Sequence, residues 1–139
     1  MSVIVEASAA IRDFFWTRFA QGVGLVIQHD NQAKPDLPRD GDTSWCRLII
    51  QQGQTRQAMT GQSGFYRSTG QVLVQLFTPA GAGTATSRAL VGLMQDAFRG
   101  QSIADPVVHF RTPSVVSETD ESGRWMTVVS IPFTTQEHG

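Results

Sequence analysis

Between Ala7 and Phe19 the larger apolar side chains fall at Ile11, Phe14, Phe15 and Phe19. Intervals of three and four stack such side chains along one face of a helix. The spacing predicts an amphipathic helix lying on a sheet and ended by Gly22 and Gly24. The period then changes to two. A short strand is predicted over Leu25 to Gln28. After a polar segment, the run Trp45 to Gln52 sends Cys46, Leu48 and Ile50 one way and Trp45, Arg47 and Ile49 the other. Gln71 to Thr78 repeats the pattern, with Val72, Val74 and Leu76 set against Leu73, Gln75 and Phe77. Glycines between these runs suggest two turns, at Gln52 and Gly53 and again over Gly61 to Gly64, separated by a strand from Thr55 to Thr60. Connections this short join antiparallel neighbours, because a parallel crossover needs about a dozen residues or more.

The second half repeats helix and then strands. Pro79 to Gly83 punctuates the chain, Thr84 is placed to cap a helix, and Leu90, Leu93, Met94, Ala97 and Phe98 recur at helical spacing before Gly100. Strands are expected at Val107 to Arg111, Ser114 to Glu118 and Trp125 to Phe133, with the turn TDESG between the last two and a frayed polar tail over 134–139. The order helix, strands, helix, strands predicts an α+β fold: a mainly antiparallel sheet with two helices packed on one face. Residues 30–44 carry two prolines, four aspartates and the only lysine, and are expected to form a flexible loop.

Composition narrows the class. A chain of 139 residues with 40% hydrophobic content suits a single domain over 1–139. Eleven basic residues against twelve acidic ones leave a net charge of -1, with neither sign gathered into a run that would track a phosphate backbone. Arg47, Arg56 and Arg67 would lie near one another only if their strands pair, and solvated strand positions explain them equally well. The single Cys46 lies in an apolar run, as a buried small hydrophobe does, and fits a reducing compartment. The N-terminal residues lack the basic leader and apolar core of a signal peptide, and no segment has the roughly twenty apolar residues of a membrane span.

Candidate chemistry is weak throughout. PAGAGTATSRAL has the strand, glycine turn and helix start of a phosphate cradle, but Thr86 stands where a dinucleotide fingerprint has its third glycine, and no GK[ST] follows. His29, His109 and His138 are scattered singly. Ser63 in GQSGF lacks the final glycine of a nucleophile elbow. Glu118, Asp120 and Glu121 crowd a turn, where carboxylates are solvated and not held in a pocket. No catalytic residue, cofactor site or metal site is expected. Trp45, Arg47, Tyr66 and Arg67 belong to the residue types that anchor interfaces, with internal packing as the alternative.

At these residues the chain resembles the small tail terminator proteins of long-tailed bacteriophages and of gene transfer agents. The likeness lies in an N-terminal aromatic helix (IRDFFWTRFAQ), W-x-R-x-x-I in WCRLII, the Gln-rich segment QGQTRQAMTG, and YRSTGQVLVQLFTPAGAGTATSRALVGLMQDAFRG. It implies a structural virion protein, not an enzyme. Such a protein forms a ring, typically a hexamer, that caps the tail tube, stops its polymerisation and offers the head-tail joining surface. The implied partners are further copies of the chain, the tail tube protein and a neck or head-completion protein, with DNA passing through the lumen without specific binding and no membrane involved. The implied location is the host cytoplasm during assembly and then the tail-neck junction of the virion. Subunit or tube contacts are then expected at Trp45, Arg47, Gln54, Arg56, Gln57, Tyr66, Arg67 and Phe77. Another neck protein, or a small ligand-binding α+β domain or enzyme, is the alternative.

Overall fold

The computed structural model describes residues 3–29, 44–59, 65–79, 85–104, 107–121 and 124–138. Helix α1 (Val3–Phe15) continues through a π-helical stretch, Trp16–Ala20, into the short α2 (Gln21–Val23). The Thr17 hydroxyl donates to the carbonyl of Asp13 one turn back, a side-chain competition of the kind that bends helices. Phe15 and Phe19 both lie in the core, ring centroids 5.4 Å apart, while Trp16 is 44% exposed. Gly24 closes the helix in the left-handed region, φ 71°, where a Cβ would be strained.

Strands β1 (Val26–His29), β2 (Trp45–Met59), β3 (Phe65–Pro79), β4 (Ser102–Ile103), β5 (Val107–Phe110), β6 (Ser114–Glu121) and β7 (Arg124–His138) form a mixed sheet, with α3 (Ala85–Phe98) between β3 and β4. The strand order is β1-β2-β3-β7-β5-β4, and β6 pairs with β7 as well. The pairing of β1 with β2 is parallel. The fifteen residues between His29 and Trp45 supply the length that a parallel crossover requires.

Alternation sorts the sheet into two faces. Cys46, Leu48 and Ile50 stand opposite Leu76, Val74 and Val72, and those three stand opposite Thr127, Val129 and Ile131. Together they make the floor on which the helices pack. Ala7, Ile11, Phe15 and Phe19 come down from one helix and Val91, Met94 and Phe98 from α3. Phe14, Phe98 and Phe110 meet with centroids 5.0 to 5.2 Å apart, close enough for aromatic attraction beyond simple burial. The fold is therefore α+β with its helices on one side of the sheet.

Four expectations change. The turn expected at Gln52 and Gly53 is a β-bulge inside one continuous β2, whose register on β3 shifts between Gln52 and Thr55. The residues from Thr134 do not fray: β7 runs to His138, pairing with β3 on one side and with β5 on the other, and Thr135 is buried. Leu93 is half exposed, and the inward stripe of α3 is Ser87, Val91, Met94 and Phe98. β6 continues past Glu118 to Glu121, so the acids sit on a strand and not in a wide turn. The loop over 30–44, the turn at Gly61 to Gly64 and the Thr84 cap lie, apart from Ser44, outside the described residues.

Gly70 sits where the sheet leaves no room for a side chain. A Cβ there would lie 2.5 Å from the Gln51 carbonyl oxygen and 2.6 Å from Cζ of Phe133, its register partner on β7. Gly70→Ala is expected to cost about 2 kcal/mol or more, because backbone and a packed ring must both shift; urea denaturation with an unchanged slope will measure it. Burial pushes the Cys46 thiol up to about 12 from its ordinary 9.0. The thiol's contribution to stability is therefore full below pH 9 and is lost as pH rises toward 12. Cys46→Ala should flatten that alkaline loss in urea titrations across the interval, and a thiol reagent should label Cys46 only as the protein unfolds.

Candidate functional site: the open face of the sheet

The positions that alternate with the core-facing ones form a second face, opposite the described helices. It is built in rows, each running across strands at one register level. In the first row Val26, Trp45, Phe77 and Met126 are partners. The Trp45 and Phe77 rings stack, centroids 4.2 Å apart and planes 15° from parallel, and both side chains are buried. In the next row Arg47 lies between Gln28 and Gln75. Its Nε donates to Gln28 Oε1 at 3.3 Å and its Nη1 to Gln75 Oε1 at 2.9 Å. The guanidinium carbon sits 5.9 Å from both ring centroids, within the range of a cation–π contact. Arg47 is thus a half-buried cation held by neutral amides, and these two bonds leave donors available on its planar fork.

Beyond a half-buried row, Ile49 opposite Leu73, lies a second polar relay. Ser130 donates to Gln71 Oε1 at 2.7 Å, and Gln71 Nε2 donates to Gln51 Oε1 at 2.9 Å. These bonds link β7, β3 and β2 through side chains as well as through the backbone ladder.

The bulge after Gln52 then changes what the face carries. Nine positions after Arg47, simple alternation would send Arg56 to the helix side. The extra residue shifts the phase, so Arg56 stands directly opposite Arg67, which in turn faces Gln136. Arg67 is exposed. By strand rise the pair lies about 25 Å along β3 from the level of Arg47, so only two of the three arginines come together.

The structure sorts the expected contact residues accordingly. Trp45, Phe77 and Arg47 form one packed cluster, the first two as internal packing. Arg67 is an exposed surface cation. The side chains of Gln54, Arg56, Gln57 and Tyr66 lie outside the described residues; their backbones place Gln54 in the bulge and Gln57 opposite Tyr66. Gln28, Gln51, Gln71, Gln75 and Ser130, which join these rows, give only a faint sequence signal: amides at alternate positions in β-rich runs.

The described residues place no catalytic set on this face. Among the described residues no three His, Cys, Asp or Glu side chains are grouped to hold a metal, and no helix is long and apolar enough to cross a membrane. A groove of about 330 Å³ on the helical side is lined by Ala10, Asp13, Phe14, Thr17, Arg18 and Ile103, with Asp13 as its one carboxylate. The phosphate-cradle candidate at PAGAG lies outside the described residues after Pro79.

The model of the phage tail terminator protein family matches residues 9–133. The chain belongs to that family. Family membership makes it a phage tail structural protein. The match takes in the second half of α1, all of α2 and α3, β1 to β6 and most of β7, so it includes the open face and its arginines. One solved structure, 19% identical, superimposes with a TM-score of 0.63 over 95% of this chain and 97% of its own length; it shares the fold of this family member. No curated protein matches the sequence.

Arg47→Met in this terminator-family chain keeps the stem but strands the two glutamine oxygens. It is expected to cost about 1 to 2 kcal/mol, whereas Arg67→Met at the exposed position should stay within about 0.5 kcal/mol. Paired thermal melts will separate a packing arginine from a surface one.

Proposed function

We propose that this protein, acting as one domain, assembles into a hexameric ring that caps the head-proximal end of the tail tube, stops addition of further tube subunits and presents the joining surface for the head. Copies of the chain, the tail tube protein and a neck or head-completion protein are its partners. DNA passes through the lumen without specific recognition. Assembly takes place in the host cytoplasm and the ring stays at the tail-neck junction.

The observation that carries this reading is the open face. A rigid sheet, backed by helices, displays bound amides, a tethered arginine and exposed arginine, and the described residues offer no reaction centre beside it. Such a surface works by contact. A closed ring needs two different patches on each subunit, and a sheet with unlike faces and unlike edges provides them. The aromatic pair beneath Arg47 keeps that part of the face in one shape whether or not a partner is present, which lowers the ordering cost of association.

Negative-stain electron microscopy of the purified protein, with and without purified tail tubes, tests the proposal. Rings, free or seated on one tube end, are expected; monodisperse monomers that ignore tubes would overturn it. In phage assembled with Arg67→Glu, tails are expected to be overlong or to lack heads while the isolated variant keeps the melting temperature of the unaltered protein. Normal tails would show that this part of the face makes no essential contact.

A further inference from the structure

Arg56 and Arg67 are direct cross-strand register partners, and like charges at such positions are unfavourable within one pair of strands. Their row continues through Gln136 to Val107, so none of its register positions holds an acid. The bulge in β2 is what brings Arg56 to this row.

The complementary charge sits elsewhere in the chain. β6 is exposed from Ser114 to Asp120, and it carries Glu118 and Asp120. Val115 and Val116 at its start are 45% and 56% exposed. Glu118 faces Thr127 and Asp120 faces Trp125, which puts both acids on the helix side of the sheet, opposite the arginine face. β7 and β3 separate β6 from β2, about 14 Å across the strands. Along the strands Glu118 lies at the level of Thr127 and Arg67 at the level of Gln136, about 30 Å apart by strand rise. One subunit cannot join these two patches.

We propose that Glu118 and Asp120 on β6 of one subunit dock against the Arg56 and Arg67 pair of a second copy of this chain. The inference rests on the ring reading above and names one of its contacts. Two acids spaced by two strand residues lie about 7 Å apart, and two facing arginines have backbones about 5 Å apart, well within the reach of long guanidinium stems. Val115 and Val116 add apolar area to the acidic edge, the mix of apolar contact and charged rim found at protein interfaces. Because the acids lie on one face and one edge and the arginines on the other face, the contact joins unlike patches. Each subunit then keeps one of each free for the next, which is the condition for a closed ring.

Charge exchange tests this. One variant carries Arg56→Glu with Arg67→Glu, the other Glu118→Arg with Asp120→Arg, and circular dichroism checks that each is folded. In sedimentation velocity each variant alone is expected to need at least about tenfold more protein than the unaltered chain to assemble. An equimolar mixture should recover rings, since each reversed patch now meets a reversed patch on the other variant. Variants that assemble as the unaltered chain does, or a mixture that fails to recover, would overturn this contact while leaving the ring itself standing. Unaltered protein that forms no ring, alone or on tail tubes, would overturn the underlying function and the contact with it. If the unaltered chain retains duplex DNA and the arginine reversal abolishes only that retention, phosphate and not a subunit carboxylate is the occupant, and the contact is overturned.

Discussion

The pairing of β3 with β7 is the constraint on which the molecule depends. Fifteen consecutive register pairs run from Phe65 opposite His138 to Pro79 opposite Arg124 without a shift. Every other strand is placed relative to this ladder: β2 and then β1 extend from β3, while β6 and β5 share the outer side of β7. Because side chains alternate with a period of two, a slip of one residue here would exchange the floor of the core for the polar rows of the open face. The burial of Val72, Val74, Leu76, Val129 and Ile131 beneath the helices forbids that slip.

Against this unbroken spine, β2 is the strand that changes phase. Before its bulge it gives the open face Trp45, Arg47, Ile49 and Gln51; after the bulge its register sets Arg56 opposite Arg67. The first stretch is tied down by ring stacking and amide bonds, and the second carries an exposed charge on its β3 partner. One strand therefore supplies both a fixed platform and a reactive electrostatic end, and the extra residue divides them. A bulge is a common way to re-aim a side chain within a sheet.

The layering is legible in the sequence because alternation and helical spacing are strong signals: Cys46, Leu48, Val72, Val74 and Leu76 all occupy the face that their period assigns. The departures have particular causes. Gly53 reads equally as turn or bulge, and only the length of β3 opposite it decides. Thr134 to His138 shows no apolar alternation, since backbone bonding to strands on both sides holds it in place. In α3 the intervals of three and four admit either Leu93 or Val91 on the inner stripe, and the packing of the helix on the sheet selects Val91. At the candidate site the arginines and aromatics are visible as residue types, but the glutamines that hold Arg47 carry no charge pattern, and the facing of Arg56 with Arg67 depends on a bulge that residue patterns alone do not phase.

Gly70 has a consequence for how the sequence can drift. The Phe133 ring lies over the place where a side chain would begin, and the Gln51 carbonyl closes the other approach. A smaller residue at position 133 would relieve only the ring, and would leave a cavity in the core, while the approach of the Gln51 carbonyl would remain. Neither a methyl group at 70 nor a smaller residue at 133 is neutral alone. Position 70 is held as glycine by a neighbouring backbone as well as by a ring, so a change at 133 does not by itself free it to vary.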